Sequence, residues 1–292
     1  MSTVLCFANM KGGVGKTTLC VNLGFELFIQ GSTVLLVDND PQFNATSTLL
    51  APARYITECI TGDHATIYEV YEVPPRVRGS TRKRPDPKSF FMKTWYKESD
   101  PDTSIDLLPS RIELYDTLRN PSHKEYLLDK FLTKNAQRYD YILIDCPPTP
   151  SVLTLSAFAA SDHVIIPVTP DYYSTLGLPQ FLGTLKDFKE QLHDQHNVRP
   201  LGVVFTNVDR TMPPDTVRSI ERVEEALGEA EDEVPVFDAR LSHLKVFAKT
   251  LWQSVPVQKI SGRGVRGKTL ATQELRAIAA EMQEKISEKE GA

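Results

Sequence analysis

Residues 9–18 read Asn9-Met10-Lys11-Gly12-Gly13-Val14-Gly15-Lys16-Thr17-Thr18. Three glycines, two lysines and two threonines within ten positions suit an anion site. Glycines let consecutive backbone N–H groups turn inward where side chains would block the approach. Lysine adds a full positive charge, and a threonine hydroxyl can ligate a hard cation such as Mg²⁺. The preceding run Val4–Ala8 is apolar, and Leu19, Val21, Leu23, Leu27 and Phe28 recur afterwards at helical spacing. A helix opening directly after such a turn points unpaired N–H groups and partial positive charge at the same anion. Strand, glycine-rich turn and helix are the context in which G-x-x-x-x-G-K-[ST] means a phosphate loop, with Lys16 at the β/γ-phosphates and Thr17 on the metal.

Two further apolar runs end in carboxylates. Ser32–Val37 reads as a buried parallel strand and leads into Asp38-Asn39-Asp40-Pro41-Gln42. Tyr139–Ile144 reads as another and leads into Asp145-Cys146-Pro147-Pro148. Acidic groups just past the carboxyl ends of such strands lie where open α/β sheets bind ligands. Asp145 has the placement of a carboxylate that holds Mg²⁺, usually through a water. Two aspartates taken alone would be ordinary loop residues. Asn207 follows the run Leu201–Thr206. Its amide offers a donor and an acceptor to a base edge, although taken alone it is a simple strand terminator.

One departure narrows the reading. Met10 stands where the general pattern has its first glycine, and Lys11 follows it. KGGVGKT, with lysines at 11 and 16, resembles the deviant phosphate loop of the ParA/MinD family of ATPases. DNDPQFNAT (38–46) and the DxPP of Asp145-Cys146-Pro147-Pro148 are similar to that family's two switches, with Phe43 where a glycine is usual. Thr169-Pro170 to Gly177 is similar to its tPxxyxxxG element. The nearest type is the Soj-like partition ATPase without an N-terminal helix-turn-helix domain, since the phosphate loop leaves no room before it. The resemblance covers nearly the whole chain and implies ATP and Mg²⁺ as cofactors. Lys11, Gly12, Gly13, Val14, Gly15, Lys16, Thr17 and Thr18 would hold the phosphates, and Asn207 the adenine. Thr17, Asp40 and Asp145 would serve the metal, and Asp40 would orient or activate the attacking water. The family forms face-to-face ATP dimers, which implies that Lys11 of each subunit reaches the other's phosphates, as an arginine finger does elsewhere.

The elements that must position these groups alternate strand and helix throughout. That pattern predicts a parallel sheet covered on both faces, here the P-loop NTPase three-layer fold with a mostly parallel twisted sheet. Strands are expected at 104–109, 163–168, 201–206 and 234–237, besides those named above. Helices are expected at about 111–118, from 121 onward, at 151–160, 174–192, 215–227 and 271–285, the last with Leu275, Ile278, Met282 and Ile286 as its core stripe. Residues 73–103 break the rhythm: they are rich in proline and basic residues, with Phe90, Phe91, Trp95 and Tyr96 interleaved. This reads as an insertion in a single domain spanning 1–292. It is either a flexible surface loop or hairpin, or an accessory surface for DNA or a partner.

Bulk composition sets outer limits. Hydrophobic content of 41% and charged content of 24% suit a globular protein. A net charge of −5 gives no global basic footprint, so contact with nucleic acid must come from a local patch. Cys6, Cys20, Cys59 and Cys146 have no CxxC spacing and read as reduced, buried thiols. No leader and no membrane-crossing run is evident, so a cytoplasmic protein is expected.

The charge is one-sided late in the chain. From Arg240 to Lys268 there are seven Lys/Arg and no Asp or Glu. Arg210 and Arg240 fall where the family's DNA-contacting arginines lie, and Lys245, Lys249, Arg263, Arg266 and Lys268 extend the patch. The implied function is an ATP-dependent homodimer on nonspecific double-stranded DNA at the nucleoid. A ParB-like centromere-binding protein would stimulate hydrolysis and release it. A solvated basic face would also account for the charge taken alone. The same motor could position a protein cargo such as a chemoreceptor array or microcompartment through another adaptor. A MinD-like membrane cycle would need an amphipathic tail, and MQEKISEKEGA has neither bulky aromatics nor a basic excess. A metabolic enzyme of the same superfold lacks a substrate constellation to support it.

Overall fold

The computed structural model describes residues 2–72, 85–97, 100–191, 198–229, 234–262 and 265–290. Strand β1 (Thr3–Phe7) feeds the glycine-rich turn and helix α1 (Lys16–Gln30). Then come β2 (Val34–Asp38), α2 (Asn44–Leu49), α3 (Pro52–Tyr55) and α4 (Tyr68–Tyr71). β3 (Met92–Lys97) and β4 (Asp100–Leu108) precede α5 (Tyr115–Arg119) and α6 (Leu127–Asn135). β5 (Tyr141–Asp145), α7 (Val152–Ala159), β6 (His163–Val168) and α8 (Tyr172–Gln191) follow. The chain continues through β7 (Arg199–Phe205), α9 (Pro214–Gly228), α10 (Val246–Gln253) and α11 (Lys268–Glu290).

The strands form one seven-stranded sheet in the order β3-β4-β2-β5-β1-β6-β7. Every pairing is parallel except β3 with β4. Buried parallel strands read as continuous apolar runs because both faces are covered, and the core shows why. Leu5, Phe7, Leu36 and Leu143 pack with α1 and α11 on one face. Their neighbours Cys6, Ala8, Leu35, Val37, Ile142 and Ile144 pack with α6, α7 and α8 on the other. The period of two along each strand thus divides one apolar run between two helical layers. α1 lies close to the sheet because Gly24 has no side chain: a Cβ there would meet Leu36 Cδ2 at 3.0 Å and Leu143 Cδ1 at 3.2 Å. The apolar stripe of α11 is core as expected, with Leu275, Ile278, Met282 and Ile286 all buried.

Two expectations need correction. Val234–Phe237 is not a strand; only Val203 and Val236 bridge there, because Pro235 has no N–H to extend a ladder. The helix expected from 121 starts at Leu127, since His123 sits at φ 61° and Lys124 is drawn into a buried pair with Glu72. The 73–103 segment is, in its described part, the hairpin that was one of its two readings. Residues 73–84 and 98–99 lie outside the described residues, but the remainder is ordered structure. Asp86 caps a single turn at Pro87–Phe90, and β3 then pairs antiparallel with β4 as a hairpin on the sheet edge. A register shift between Lys93 and Trp95 brings Met92 and Trp95 to the same buried face. Phe90 is buried, Phe91 packs against Phe131 at 5.8 Å, and Trp95 meets Phe25 edge-on at 5.5 Å. Phe90, Phe91 and Trp95 thus contribute to the core.

Candidate nucleotide site

β1 ends against β5 with Phe7 opposite Asp145, and β2 ends against β5 with Asp38 opposite Asp145. Three strand ends therefore converge where the glycine-rich turn leaves β1. Gly13 and Gly15 adopt φ of 76° and 85°, a region that costs other residues strain. A Cβ at Gly12 or Gly13 would meet nothing within 4 Å, so the loop borders open space. Gly15 caps α1, leaving the first N–H groups of the helix directed into a cleft of about 330 Å³. The cleft is lined by Gly12, Gly13, Gly15, Lys16, Thr17, Thr18, Asp40 and Asn207, which the sequence had scattered over about 200 positions. Val14 is wholly buried, and its carbonyl accepts from Thr206 Oγ1 at 2.6 Å, tying the loop to the end of β7.

Lys16 is buried, and its ammonium donates to the carbonyls of Asn9 (3.1 Å) and Lys11 (3.0 Å). Burial pushes its pKa down from the ordinary lysine value, against the pull of Asp145, Cys146 and Asp40. Thr17 Oγ1 donates to Asp145 Oδ2 at 2.6 Å. Asp145 Oδ1 is buried with no hydrogen-bond partner. An orphaned carboxylate oxygen beside a hydroxyl fits a cation, since isolated buried charge is otherwise costly. Burial drives the Asp145 pKa well up, and the Asp38 charge opposite adds to it. Among the described residues no cluster of three or more His, Cys, Asp or Glu forms an all-protein metal cage.

Asp40 is buried in the loop that follows β2. Its Oδ1 accepts from Gln42 N at 2.9 Å, and its carbonyl accepts from Phe43 N (2.9 Å) and Ser110 Oγ (2.8 Å). Burial raises its pKa, opposed by the Gln42 bond and by Lys16. Asp38 anchors the loop by accepting from Thr46 N and Thr46 Oγ1, both at 2.7 Å, and burial lifts its pKa to about 7. Phe43 sits at φ 44° and stacks on Tyr55 with centroids 5.4 Å apart. Its ring therefore braces the switch from within the chain.

Lys11 does not turn toward the cleft. Its ammonium is paired with the Asp171 carboxylate at the start of α8 and lies 3.3 Å from Ser174 Oγ. Burial would raise the Asp171 pKa, but the Lys11 and Ser174 bonds overcome it and hold the carboxyl below its usual value. Asn207, at φ 53°, donates to the Gly13 carbonyl at 3.1 Å.

The basic residues assigned to the DNA patch divide in two. Arg210, Lys245, Lys249 and Arg266 are exposed. Arg240 is half-buried over the Phe205 ring at 5.5 Å, and Lys268 donates to the Ile260 carbonyl at 2.9 Å. Arg263 lies outside the described residues. Sequence reasoning missed α10 entirely, although its Phe247, Thr250 and Leu251 line the cleft beside Asn22 and Asn44. The i, i+4 pairs Val246/Thr250 and Phe247/Leu251 were its only signal.

No helix among the described residues is long and apolar enough to cross a membrane. Residues 2–198 match the family model AAA_31, an AAA domain. The chromosome-partitioning ATPase Soj of Treponema pallidum is 35% identical over 209 residues, covering 72% of this chain and 73% of that one. The solved structure of pNOB8 ParA is similar with a TM-score of 0.76 at 21% identity, covering 99% of this chain and 100% of that one. A Mycobacterium smegmatis cobyrinic acid a,c-diamide synthase, solved with a bound ATP analog and magnesium, is 28% identical with a TM-score of 0.69 and covers 96% of this chain and 93% of its own.

Proposed function

The chain belongs to the AAA_31 family of AAA domains and to its ParA-type ATPases, and we propose that it is an ATP-gated DNA tether. It is a partition ATPase that binds nucleotide with magnesium. We assign 1–292 to a single ATPase domain in which 73–103 is an insertion.

The phosphate loop and the N-terminus of α1 take the triphosphate. Thr17 and Asp145 would hold Mg²⁺, which when bound would neutralise phosphate charge. Asp40 orients the attacking water, and Asn207 takes the adenine edge. Lys11 completes the site of a second subunit and must first leave Asp171. The single observation behind this reading is the Lys11–Asp171 pair. A phosphate-loop lysine held away from its own cleft leaves the site one cation short until the chain dimerises.

In the ATP dimer the exposed cations Arg210, Lys245, Lys249 and Arg266, with Arg240 and Arg263, bind nonspecific duplex DNA. Contacts of this kind are sequence-blind and weaken with salt. A DNA-bound adaptor then stimulates hydrolysis and releases the tether at the nucleoid. Whether the adaptor carries a plasmid, a chromosome or a protein assembly, the motor is the same. The buried stripe of α11 leaves its apolar residues engaged in the core, which speaks against their use as a membrane anchor.

The test is fluorescence polarisation of a labelled random-sequence duplex with the wild-type protein in ATP, ADP or no nucleotide. Binding confined to the ATP state and decreasing with salt is expected. Equal affinity in all three states sinks the gate, and no binding sinks the tether.

A further inference from the structure

α10 has two faces with different surroundings. Val246 and Thr250 are buried, and Phe247, Thr250 and Leu251 line the nucleotide cleft. α10 also packs against α2, which begins just after the Asp40 loop. The opposite face carries Lys245, Lys249 and Trp252, all exposed. Spacings of four and three residues place them in one ridge. Trp252 is 90% exposed, far from the usual state of an indole, and its neighbour Leu251 is 53% exposed. A large apolar ring displayed beside two ammonium groups marks a contact surface.

Charge selects the occupant. The segment from Arg240 to Lys268 contains no carboxylate, so the ridge offers a polyanion cations beside an apolar surface. A second copy docking isologously would set like charges together. We propose that α10 couples nucleotide occupancy to DNA affinity: its Phe247–Thr250–Leu251 face meets the nucleotide, and its Lys245–Lys249–Trp252 ridge lies on duplex DNA. The lysines contact phosphates, and Trp252 packs between them against the sugar edge of the backbone. A helix of two turns is rigid, so a tilt imposed at the cleft moves the ridge with it. This rests on the DNA-tether reading and adds the element that transmits the gate.

The experiment uses the full chain and the same labelled duplex. Trp252→Ala should weaken ATP-state DNA binding about tenfold through the lost apolar contact, with an unchanged salt slope because no charge is lost. Lys249→Gln should lower that slope by about 1. Trp252→Phe should recover part of the affinity, which guards against misfolding as the cause. The chain has two tryptophans, so Trp95→Phe leaves Trp252 as a reporter whose emission should shift blue on adding DNA with ATP. Wild-type affinity in Trp252→Ala, or no emission shift, overturns the ridge while wild-type DNA binding still stands. Loss of the ATP dimer in Trp252→Ala, read by light scattering, assigns the indole to a subunit contact and also overturns it. Absence of ATP-dependent binding by the wild type removes the tether reading itself and needs no variant to be seen.

Discussion

Thr17 Oγ1 donates to Asp145 Oδ2 at 2.6 Å, joining the first turn of α1 to the last residue of β5. The same carboxylate keeps its other oxygen unpaired and buried. In the proposed role, these two residues exchange part of their mutual bond for the cation. Thr17→Val keeps the shape and removes the hydroxyl, leaving Asp145 with both oxygens unsatisfied. Titration of a fluorescent ATP analogue with and without Mg²⁺ should show the magnesium-dependent gain in affinity fall by about tenfold or more, while stability drops by about 1–3 kcal/mol. An undiminished magnesium effect would remove Thr17 from the metal site.

Lys11 and Asp171 are both about one-third exposed at their side chains. A pair of that kind contributes about 0.2–1 kcal/mol. In the proposed dimer, releasing Lys11 would therefore be a small barrier. Asp171→Asn removes the charge and keeps an oxygen for the Ser174 N–H that it caps at 3.0 Å. Dimerisation in ATP, measured by analytical ultracentrifugation, should strengthen by up to about fivefold. A variant that dimerises less well would mean that Asp171 itself belongs to the subunit interface.

The proposed role of Asp40 makes a separate demand. Three backbone or hydroxyl donors hold this residue in place, at Oδ1 and at its carbonyl. Asp40→Ala should leave those carbonyl bonds, bind ATP and dimerise. Its steady-state phosphate release should fall by about 10²–10⁴, the usual span for a positioned acid–base group. Turnover at the wild-type rate would take Asp40 out of the mechanism.

What was legible in the sequence was what local chemistry encodes. The glycine-rich turn needs particular residue types at fixed spacing, and the carboxylates mark strand ends, so Lys16, Thr17, Asp40, Asp145 and Asn207 could be marked in order along the chain as candidates, and the structure gathers them at one end of the sheet. The Lys11–Asp171 pair joins residues 160 positions apart, which no spacing rule reaches. β3 was hidden because its aromatics sit among charged residues, and a register shift breaks the alternation that marks a strand. α10 was hidden by its length, since eight residues give barely two turns of periodicity. Pro235 misled in the other direction: its apolar neighbours look like a strand, but the ladder cannot pass through it.

Phe43 illustrates how a departure from the family pattern is accommodated. A bulky residue at φ 44° carries roughly 1–2 kcal/mol of strain. The Tyr55 stack returns about 0.5–1.5 kcal/mol. Phe43→Gly relieves one and loses the other, so its melting temperature should stay close to wild type. Amide exchange across 40–47 should nevertheless quicken, because the brace on the switch is gone. Unchanged exchange in that segment would show that the Asp38–Thr46 bonds alone hold the loop.

The glycine at 24 makes a prediction that links packing to the site. α1 carries Lys16 and Thr17 at one end, and its distance from the sheet is set where Gly24 meets Leu36 and Leu143. Alanine there would place a Cβ 3.0 Å from Leu36 Cδ2, a contact that a small shift of a leucine methyl can relieve. It would also gain about 1 kcal/mol in helix propensity. Gly24→Ala should therefore be close to neutral in a urea melt. Gly24→Val adds two methyl groups with no free volume to receive them, and overpacking of that kind costs about 1–3 kcal/mol. The helix can relieve it only by lifting from the sheet, which carries Thr17 away from Asp145. Nucleotide affinity should then fall along with stability in Gly24→Val and hold in Gly24→Ala. A valine variant that loses stability but binds nucleotide as tightly as the wild type would show that the phosphate loop is positioned by β1 and the Thr206–Val14 bond, independently of how α1 seats on the sheet.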